Sequence, residues 1–158
     1  MTKNLDDIGL KSVADHYDLF FVDLWGVVHN GIELYEDSIN ALEELLDKNK
    51  DLVLLTNAPR PNNDVKNFLK KMGLEEKYYS KVYTSGEAAL NYLTSNFKEK
   101  TFFHIGPPRD FGLFNDFKKN KIQKISEANY LLCTGLFDEQ DKELSYYKTL
   151  LKKEIDKI

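Results

Sequence analysis

Two short polar sequences follow apolar runs directly and could carry chemistry. Asp23 ends the run Asp18-Leu-Phe-Phe-Val-Asp23, and Thr56-Asn57 ends the run Asp51-Leu-Val-Leu-Leu-Thr56. A carboxylate at the tip of a hydrophobic strand is costly unless a metal or an electrophile uses it. A hydroxyl, an amide and the free amides of a following helix suit an anion. Each residue alone could cap a turn, but together the two ends favour a functional site.

The elements that must position these residues can be read from the hydrophobic pattern. Strands are predicted at 18–23, 51–56, 81–84, 101–105 and 128–134, and helices at 8–16, 36–50, 62–72, 86–96, 110–119 and from 139 onward. The run 18–23 is continuously apolar, which predicts a strand buried on both faces. This alternation predicts an α/β fold with a parallel sheet, in which ligands bind beyond the carboxyl ends of the strands.

Composition and charge exclude several classes of protein. The 158 residues are 42% hydrophobic and 30% charged, as expected for a globular chain, and the longest apolar run is too short to span a membrane. The first ten residues do not form a signal peptide, and the single Cys133 excludes an intramolecular disulfide, so a cytoplasmic location is expected. The net charge of −4, with its acidic excess in residues 1–80, argues against nucleic acid. An anionic substrate would therefore need a bound cation.

The two strand ends resemble motifs of a known superfamily. The sequences Phe20-Phe-Val-Asp23-Leu-Trp-Gly26-Val-Val-His-Asn-Gly31 and Leu54-Leu-Thr56-Asn57-Ala-Pro-Arg are similar to the first two motifs of the haloacid dehalogenase-like (HAD) superfamily. The segment Val82–Leu93 and the Gly106 loop resemble its class IIA branch, which includes nitrophenyl phosphatase-like and nucleotide phosphatase-like enzymes. The resemblance spans about residues 15–150 and implies a Rossmann-like parallel core followed by the beginning of an α/β cap.

This resemblance implies a role for each motif residue. Asp23 would be the nucleophile that forms an aspartyl-phosphate, and its carboxylate would also bind Mg²⁺. The backbone carbonyl of Trp25 would be a second Mg²⁺ ligand. Thr56 would hydrogen-bond a phosphoryl oxygen, which Asn57 would help to orient. The implied substrate is a small phosphorylated metabolite, and the bound cation would meet the charge condition stated above.

The sequence also departs from the superfamily pattern. In its phosphatases the residue two after the nucleophile is an aspartate that protonates the leaving oxygen, whereas here it is Trp25, whose indole cannot act as that acid. His29 is an alternative proton donor, or else a solvated loop residue. The superfamily's motif lysine and its acidic metal motif are not found. The segment Asp138–Asp141 resembles the acidic motif, but its order along the chain favours a loop of the cap.

These observations leave more than one function open. We expect residues 1–95 to form the first part of the core and residues 100–158 to begin the cap, as the N-terminal portion of a hydrolase that is impaired or incomplete. The alternative is a non-catalytic or truncated member that binds a phosphorylated ligand or a partner. A Rossmann-type cofactor binder is disfavoured because no Gly-x-Gly-x-x-Gly turn follows the first strand. An unfinished core should leave exposed apolar strand edges that invite association into a homo-oligomer, although the sequence does not give the oligomeric state.

Overall fold

The α/β architecture predicted from the sequence is confirmed. The computed structural model describes residues 5–140 and 143–152. The strands are β1 (Leu19–Val22), β2 (Asp51–Thr56), β3 (Val82–Thr84), β4 (Phe102–Ile105) and β5 (Tyr130–Cys133). The α-helices are α1 (Leu5–Ile8), α2 (Lys11–Ala14), α3 (Glu36–Asp47), α4 (Asn62–Lys71), α5 (Glu76–Tyr79), α6 (Ser85–Asn96) and α7 (Leu144–Lys152). Three 3₁₀ segments span Pro108–Asn120, Ile125–Glu127 and Asp138–Gln140.

The first sheet is parallel and brings the predicted site residues to one edge. Its strand order is β1-β2-β3, with Val22 opposite Leu54 and Thr56 opposite Thr84. Parallel strands point their carboxyl ends the same way, so the chain leaves all three strands at the same edge. Leu54, at 0% exposure, lies at the centre of a core to which the sheet, α2, α3, α4, α5 and the loop after β1 contribute.

The prediction that β1 is buried on both faces is wrong. Leu19 and Phe21 are 45% and 64% exposed, and Leu55 and Tyr83 on the neighbouring strands are each 42% exposed. Alternate residues of a strand face opposite sides of the sheet, and in the first sheet only one side carries the buried core residues. The apolar run in β1 therefore reflects one buried face and one exposed apolar face.

The second sheet pairs β4 with β5 in parallel, with Phe102 opposite Tyr130. Phe102 is fully buried, and its ring lies 5.1 Å from that of Phe114 and 5.5 Å from that of Phe117. Both partner residues come from the 3₁₀ segment Pro108–Asn120, which thereby closes a second, aromatic core. Aromatic pairs at these distances stabilise a core beyond the area that they bury.

Three predicted helices differ from the observed segments. The first, predicted at 8–16, is replaced by the short helices α1 and α2. The segment 110–119 was expected to be α-helical but is 3₁₀, with non-helical backbone at Phe114 and Phe117. Both phenyl rings insert into the aromatic core, and this packing overrides the weak helix propensity of a sequence rich in Phe, Gly, Asn and Asp. The C-terminal helix begins at Leu144 rather than at Glu139, which lies in a 3₁₀ turn. Its expected extension over 153–158 lies outside the described residues.

The chain divides into two compact units. The first comprises the described residues up to Ala58 together with Asn62–Thr84, and the second comprises Pro59–Pro61 and the described residues from Ser85 onward. Helix α6 thus groups with the second unit, whereas the sequence suggested a boundary at the polar segment 95–100. The assignment of these parts to core and cap stays a prediction. No helix in the described ranges is long and apolar enough to cross a membrane.

Candidate functional site

Asp23 lies immediately after β1, where the strand leaves the sheet. Because Val22 pairs with Leu54, Asp23 lies opposite Leu55, and Thr56 lies one residue further along β2. Its side chain is exposed, and Oδ1 accepts a hydrogen bond of 2.7 Å from the amide of Leu24. The expectation that this carboxylate is buried at high cost is therefore wrong. An exposed carboxylate with one oxygen oriented by the backbone is accessible to a ligand from solvent.

The loop after Asp23 is a compact turn held by its own backbone. The Leu24 carbonyl accepts amides of the following residues, among them Val28 at 2.8 Å, and the Gly26 amide donates to the His29 carbonyl at 2.8 Å. Leu24 and Val28 are 2% and 0% exposed and anchor the turn in the core of the first unit. Gly26 has a φ of +76°, a left-handed conformation that glycine adopts at no steric cost. The turn thus fixes the backbone on either side of Trp25.

Trp25 is exposed and yet braced by this loop. Its side chain is 67% exposed, and its ring lies edge-on to His29 with centroids 5.8 Å apart. A Cβ atom at Gly31 would come within 2.5 Å of the indole Cζ3, and Gly31 has a φ of +90°. A side chain at position 31 would therefore require the ring to shift. The contact between Gly31 and the Trp25 ring was not predicted from the sequence. The one signal for it was the place of Gly31 in a glycine-bearing loop.

His29 is buried, so the interpretation of it as a solvated loop residue is wrong. It is 4% exposed, and its Nδ1 accepts the backbone amide of Gly31 at 3.0 Å. A backbone amide only donates, so the ring proton of the neutral imidazole sits on Nε2. Burial lowers the pKa of His29, and the charge of Asp23 opposes that shift only partly. The imidazole is therefore neutral near pH 7 and serves as a structural acceptor that fixes the loop.

Thr56 and Asn57 follow β2 at the same sheet edge. Thr56 is 8% exposed, and its Oγ1 accepts the amide of Ala58 at 3.2 Å. Asn57 is exposed. At the end of β3, the amide of Thr84 donates to Oδ1 of Asn62, the first residue of α4, at 3.0 Å. The structure therefore brings the ends of three strands together at one edge, with Asp23 and Thr56 leaving adjacent strands.

The oxygen atoms near Asp23 suit a hard cation such as Mg²⁺. Within residues 5–140 and 143–152, no group of three or more His, Cys, Asp or Glu side chains could hold a metal. Mg²⁺ needs no such group, because it is commonly held by one or two carboxylates together with water and substrate phosphates. In the same ranges, no backbone amide donates to the Trp25 carbonyl oxygen. The Asp23 carboxylate and this carbonyl therefore fit the ligand set implied by the resemblance.

The acidic segment near the C-terminus takes no part in this arrangement. Asp138 belongs to the second unit, where it forms an ion pair with Arg109 and begins a 3₁₀ turn. Asp141, the last acid of the segment, lies outside the described residues. The ion pair supports the interpretation of the segment as a loop, because a carboxylate paired with a guanidinium is already neutralised.

Comparisons with known proteins identify the family. The sequence profile of the family described as haloacid dehalogenase-like hydrolase matches residues 20–119. The chain belongs to the haloacid dehalogenase-like hydrolase family. The match begins inside β1 and includes Asp23, Trp25, Thr56 and Asn57, so it covers both motifs on which the prediction rested. The predicted family membership is confirmed. No curated protein sequence matches the chain.

Solved structures of the HAD family resemble this chain. A haloacid dehalogenase-like family hydrolase from Brucella suis 1330 is 31% identical with a TM-score of 0.79, and the match covers 99% of this chain and 57% of that one. A 4-nitrophenylphosphatase from Thermotoga maritima is 26% identical with a TM-score of 0.60, covering 90% and 54%. A glycerol phosphate phosphatase from Mycobacterium tuberculosis in complex with magnesium shares the fold at 16% identity and a TM-score of 0.61, covering 90% and 43%. The chain thus spans about half the length of these HAD structures.

Proposed function

We propose that this HAD-like chain carries the phosphoryl-transfer site of a phosphatase that acts on a small phosphorylated metabolite. The observation that carries the proposal is the exit of Asp23 and Thr56 from adjacent parallel strands at one edge, with the carboxylate exposed. The nitrophenylphosphatase among the similar structures supports the class IIA branch. Because the chain spans about half of its relatives, the activity proposed here concerns the residues that it contains.

The proposed chemistry begins at the carboxylate of Asp23. The amide of Leu24 holds Oδ1, so Oδ2 is the atom available to attack a phosphoryl group and form an aspartyl-phosphate. Thr56 would donate its hydroxyl proton to a phosphoryl oxygen, and its Oγ1 is already oriented by the Ala58 amide. Asn57 would orient the same phosphoryl group. Water then hydrolyses the acyl-phosphate and restores the carboxylate.

The Asp23 carboxylate and the Trp25 carbonyl would hold Mg²⁺ at this edge. The cation supplies charge neutralisation, without which one anion cannot approach another. The magnesium complex of the glycerol phosphate phosphatase supports this choice of metal. The first unit holds most of the acidic excess of the chain, which makes a cation necessary for binding phosphate.

Covalent phosphorylation tests this proposal directly. The chain is incubated with Mg²⁺ and either acetyl phosphate or 4-nitrophenyl phosphate, and its intact mass is measured after acid quenching. We expect one phosphoryl group per chain, lost in Asp23→Asn and reduced in Thr56→Val. Asp18→Asn is the matched control, because Asp18 is an exposed carboxylate that precedes the same strand at its opposite end. Phosphorylation that persists in Asp23→Asn would refute the proposed nucleophile.

The same measurement addresses the alternative of a protein that binds a phosphorylated ligand without turnover. In that case Mg²⁺ and inorganic phosphate would bind in calorimetric titrations while no phosphoryl group appears on the chain.

A cytoplasmic location is part of the proposal and is supported by Cys133, a free and exposed thiol that suits a reducing compartment. Self-association through exposed apolar strand edges stays a prediction, which sedimentation velocity tests.

A further inference from the structure

In the phosphatases that this chain resembles, the residue two after the nucleophile protonates the leaving group, and Trp25 stands at that position here. It lies two residues after Asp23, and the turn that carries it is fixed by hydrogen bonds on both sides. An indole N–H donates hydrogen bonds but does not ionise near neutral pH, so it cannot release a proton to a departing oxygen. His29, the nearby histidine of the loop, is buried, and its Nδ1 accepts the Gly31 amide, so its ring is not presented to a ligand from solvent. Neither side chain is placed to supply a proton to the leaving group.

The indole of Trp25 also offers a flat apolar surface to solvent. One part of the ring rests against Gly31, where the absence of a side chain allows the close approach, and His29 lies edge-on to it. The remaining two-thirds of the side chain is exposed. A large aromatic side chain that is fixed by its own loop loses little conformational freedom when it stacks on a ligand. Trp25 therefore provides a preformed stacking surface in the loop that begins at Asp23, two residues after the exposed carboxylate.

We propose that Trp25 restricts the substrate to aryl phosphates, whose leaving group departs without a proton and whose ring stacks on the indole. This inference rests on the proposed phosphatase function of Asp23. A phenol ionises near pH 10, as the side chain of tyrosine does, whereas an alkyl alcohol is a far weaker acid. A phenolate can therefore leave unprotonated, but an alkoxide cannot do so at a comparable rate. Trp25 is here a specificity-determining residue.

The proposed step is balanced without a general acid. Oδ2 of Asp23 forms a bond to phosphorus while the bond from phosphorus to the phenolic oxygen breaks, and the electron pair stays on that oxygen. The phenolate leaves as an anion and takes its proton from solvent. Water then attacks the aspartyl-phosphate, which yields inorganic phosphate and the free carboxylate, and the proton of the water passes to the buffer.

Phenyl phosphate and benzyl phosphate separate leaving-group acidity from ring stacking, since both carry one phenyl ring. A general acid contributes about 100- to 10,000-fold, so we expect the wild-type chain to react with phenyl phosphate at least about 100-fold faster than with benzyl phosphate. Trp25→Asp should narrow this ratio at least about tenfold by accelerating benzyl phosphate. Equal wild-type rates with the two esters, or a ratio that Trp25→Asp leaves unchanged, would overturn the proposal.

Stacking on Trp25 can be measured separately by tryptophan fluorescence, because Trp25 is the only tryptophan in the sequence. Titration of Asp23→Asn with 4-nitrophenyl phosphate should quench the Trp25 fluorescence at saturation, whereas inorganic phosphate should leave its intensity nearly unchanged. Trp25→Leu should raise KM for phenyl phosphate about 2- to 10-fold, the usual contribution of one aromatic pair. Ile32→Ala is the control, because Ile32 is an 89% exposed apolar residue of the same loop. An unchanged KM in Trp25→Leu, or quenching equal for both ligands, would overturn the stacking assignment.

The outcomes distinguish this inference from the proposed function. If no phosphate ester or acyl phosphate phosphorylates the chain in an Asp23-dependent way, the phosphatase function fails, and selective quenching by 4-nitrophenyl phosphate still decides whether Trp25 stacks on an aryl ring. If Asp23 is phosphorylated and benzyl phosphate reacts as fast as phenyl phosphate, the function stands and the role of Trp25 fails. Because the ester comparison uses the wild-type chain, it holds even if Trp25→Asp does not fold.

Discussion

The stability of the second unit should depend on pH through one buried histidine. His104 lies on β4 and is 4% exposed, with its Nε2 2.9 Å from Oγ1 of Thr134. Its ring packs against Phe111 and Phe114, with centroids 5.4 Å and 4.9 Å away. Burial lowers its pKa from the ordinary value of 6.5 to about 4, aided by the charge of Lys121 and opposed by that of Asp110. The folded state therefore resists protonation of this imidazole.

The magnitude follows from the difference between the folded and unfolded pKa values. Above about pH 6.5 the imidazole is neutral in both the folded and the unfolded state, so it does not change the free energy of unfolding. Below that pH the unfolded chain binds a proton that the folded chain does not, and stability falls until the pH reaches about 4. At 1.36 kcal/mol for each pH unit, the full loss is about 3 kcal/mol, of which about 2 kcal/mol is lost between about pH 7.5 and pH 5.

Amide hydrogen exchange with mass spectrometry can measure this loss within the second unit. Peptides that cover β4 and β5 report the free energy of local opening, and their protection should fall about 30-fold from about pH 7.5 to pH 5 after correction for intrinsic exchange. In His104→Gln, whose side-chain amide can still hydrogen-bond Thr134 but does not titrate, the corrected protection should be nearly constant over this range. His16→Gln serves as the control because His16 is exposed on the first unit.

The variant comparison can refute this reasoning. If the wild-type chain and His104→Gln lose the same protection on acidification, a carboxylate or another group governs the pH dependence, and burial of His104 does not. A loss that also disappears in His16→Gln would point to the first unit instead. Only a loss specific to His104 agrees with the packing seen around its ring.

The remaining predictions concern packing in the first unit. Leu54→Ala should lower the free energy of unfolding by about 2 to 5 kcal/mol, because Leu54 is 0% exposed. Leu55→Ala should lower it by less than about 1 kcal/mol, because Leu55 is 42% exposed. Urea unfolding followed by circular dichroism measures both changes. Gly31→Ala should displace the Trp25 ring and change its fluorescence and its quenching by iodide, whereas Gly9→Ala should not, because a Cβ at Gly9 meets no atom within 4 Å. Equal costs at positions 54 and 55, or unchanged Trp25 fluorescence in Gly31→Ala, would contradict this account.

Much of the fold could be read from the sequence because strands and helices have different hydrophobic periods. The runs that end at Asp23 and Thr56 became adjacent parallel strands, and their polar ends meet at one edge because parallel strands share a direction. The helix α3 was indicated by apolar residues at helical spacing. The tertiary structure decided what its polar residues contact, since the hydroxyl of Ser38, inside the helix, donates to the Val27 carbonyl of the loop after β1.

What the sequence determined by itself is the order of the five strands, the family and the identity of the residues at the strand ends. These depend on local residue types and short spacings, so they need no knowledge of long-range contacts. Only the tertiary structure decided that Asp23 is exposed, that His29 is buried and neutral, and that the Trp25 ring packs against Gly31. Burial and ring contacts depend on which distant segments pack together, and one-dimensional patterns do not contain that information. The same reason explains why the apolar run of β1 was expected to be covered on both faces, while Phe21 faces solvent.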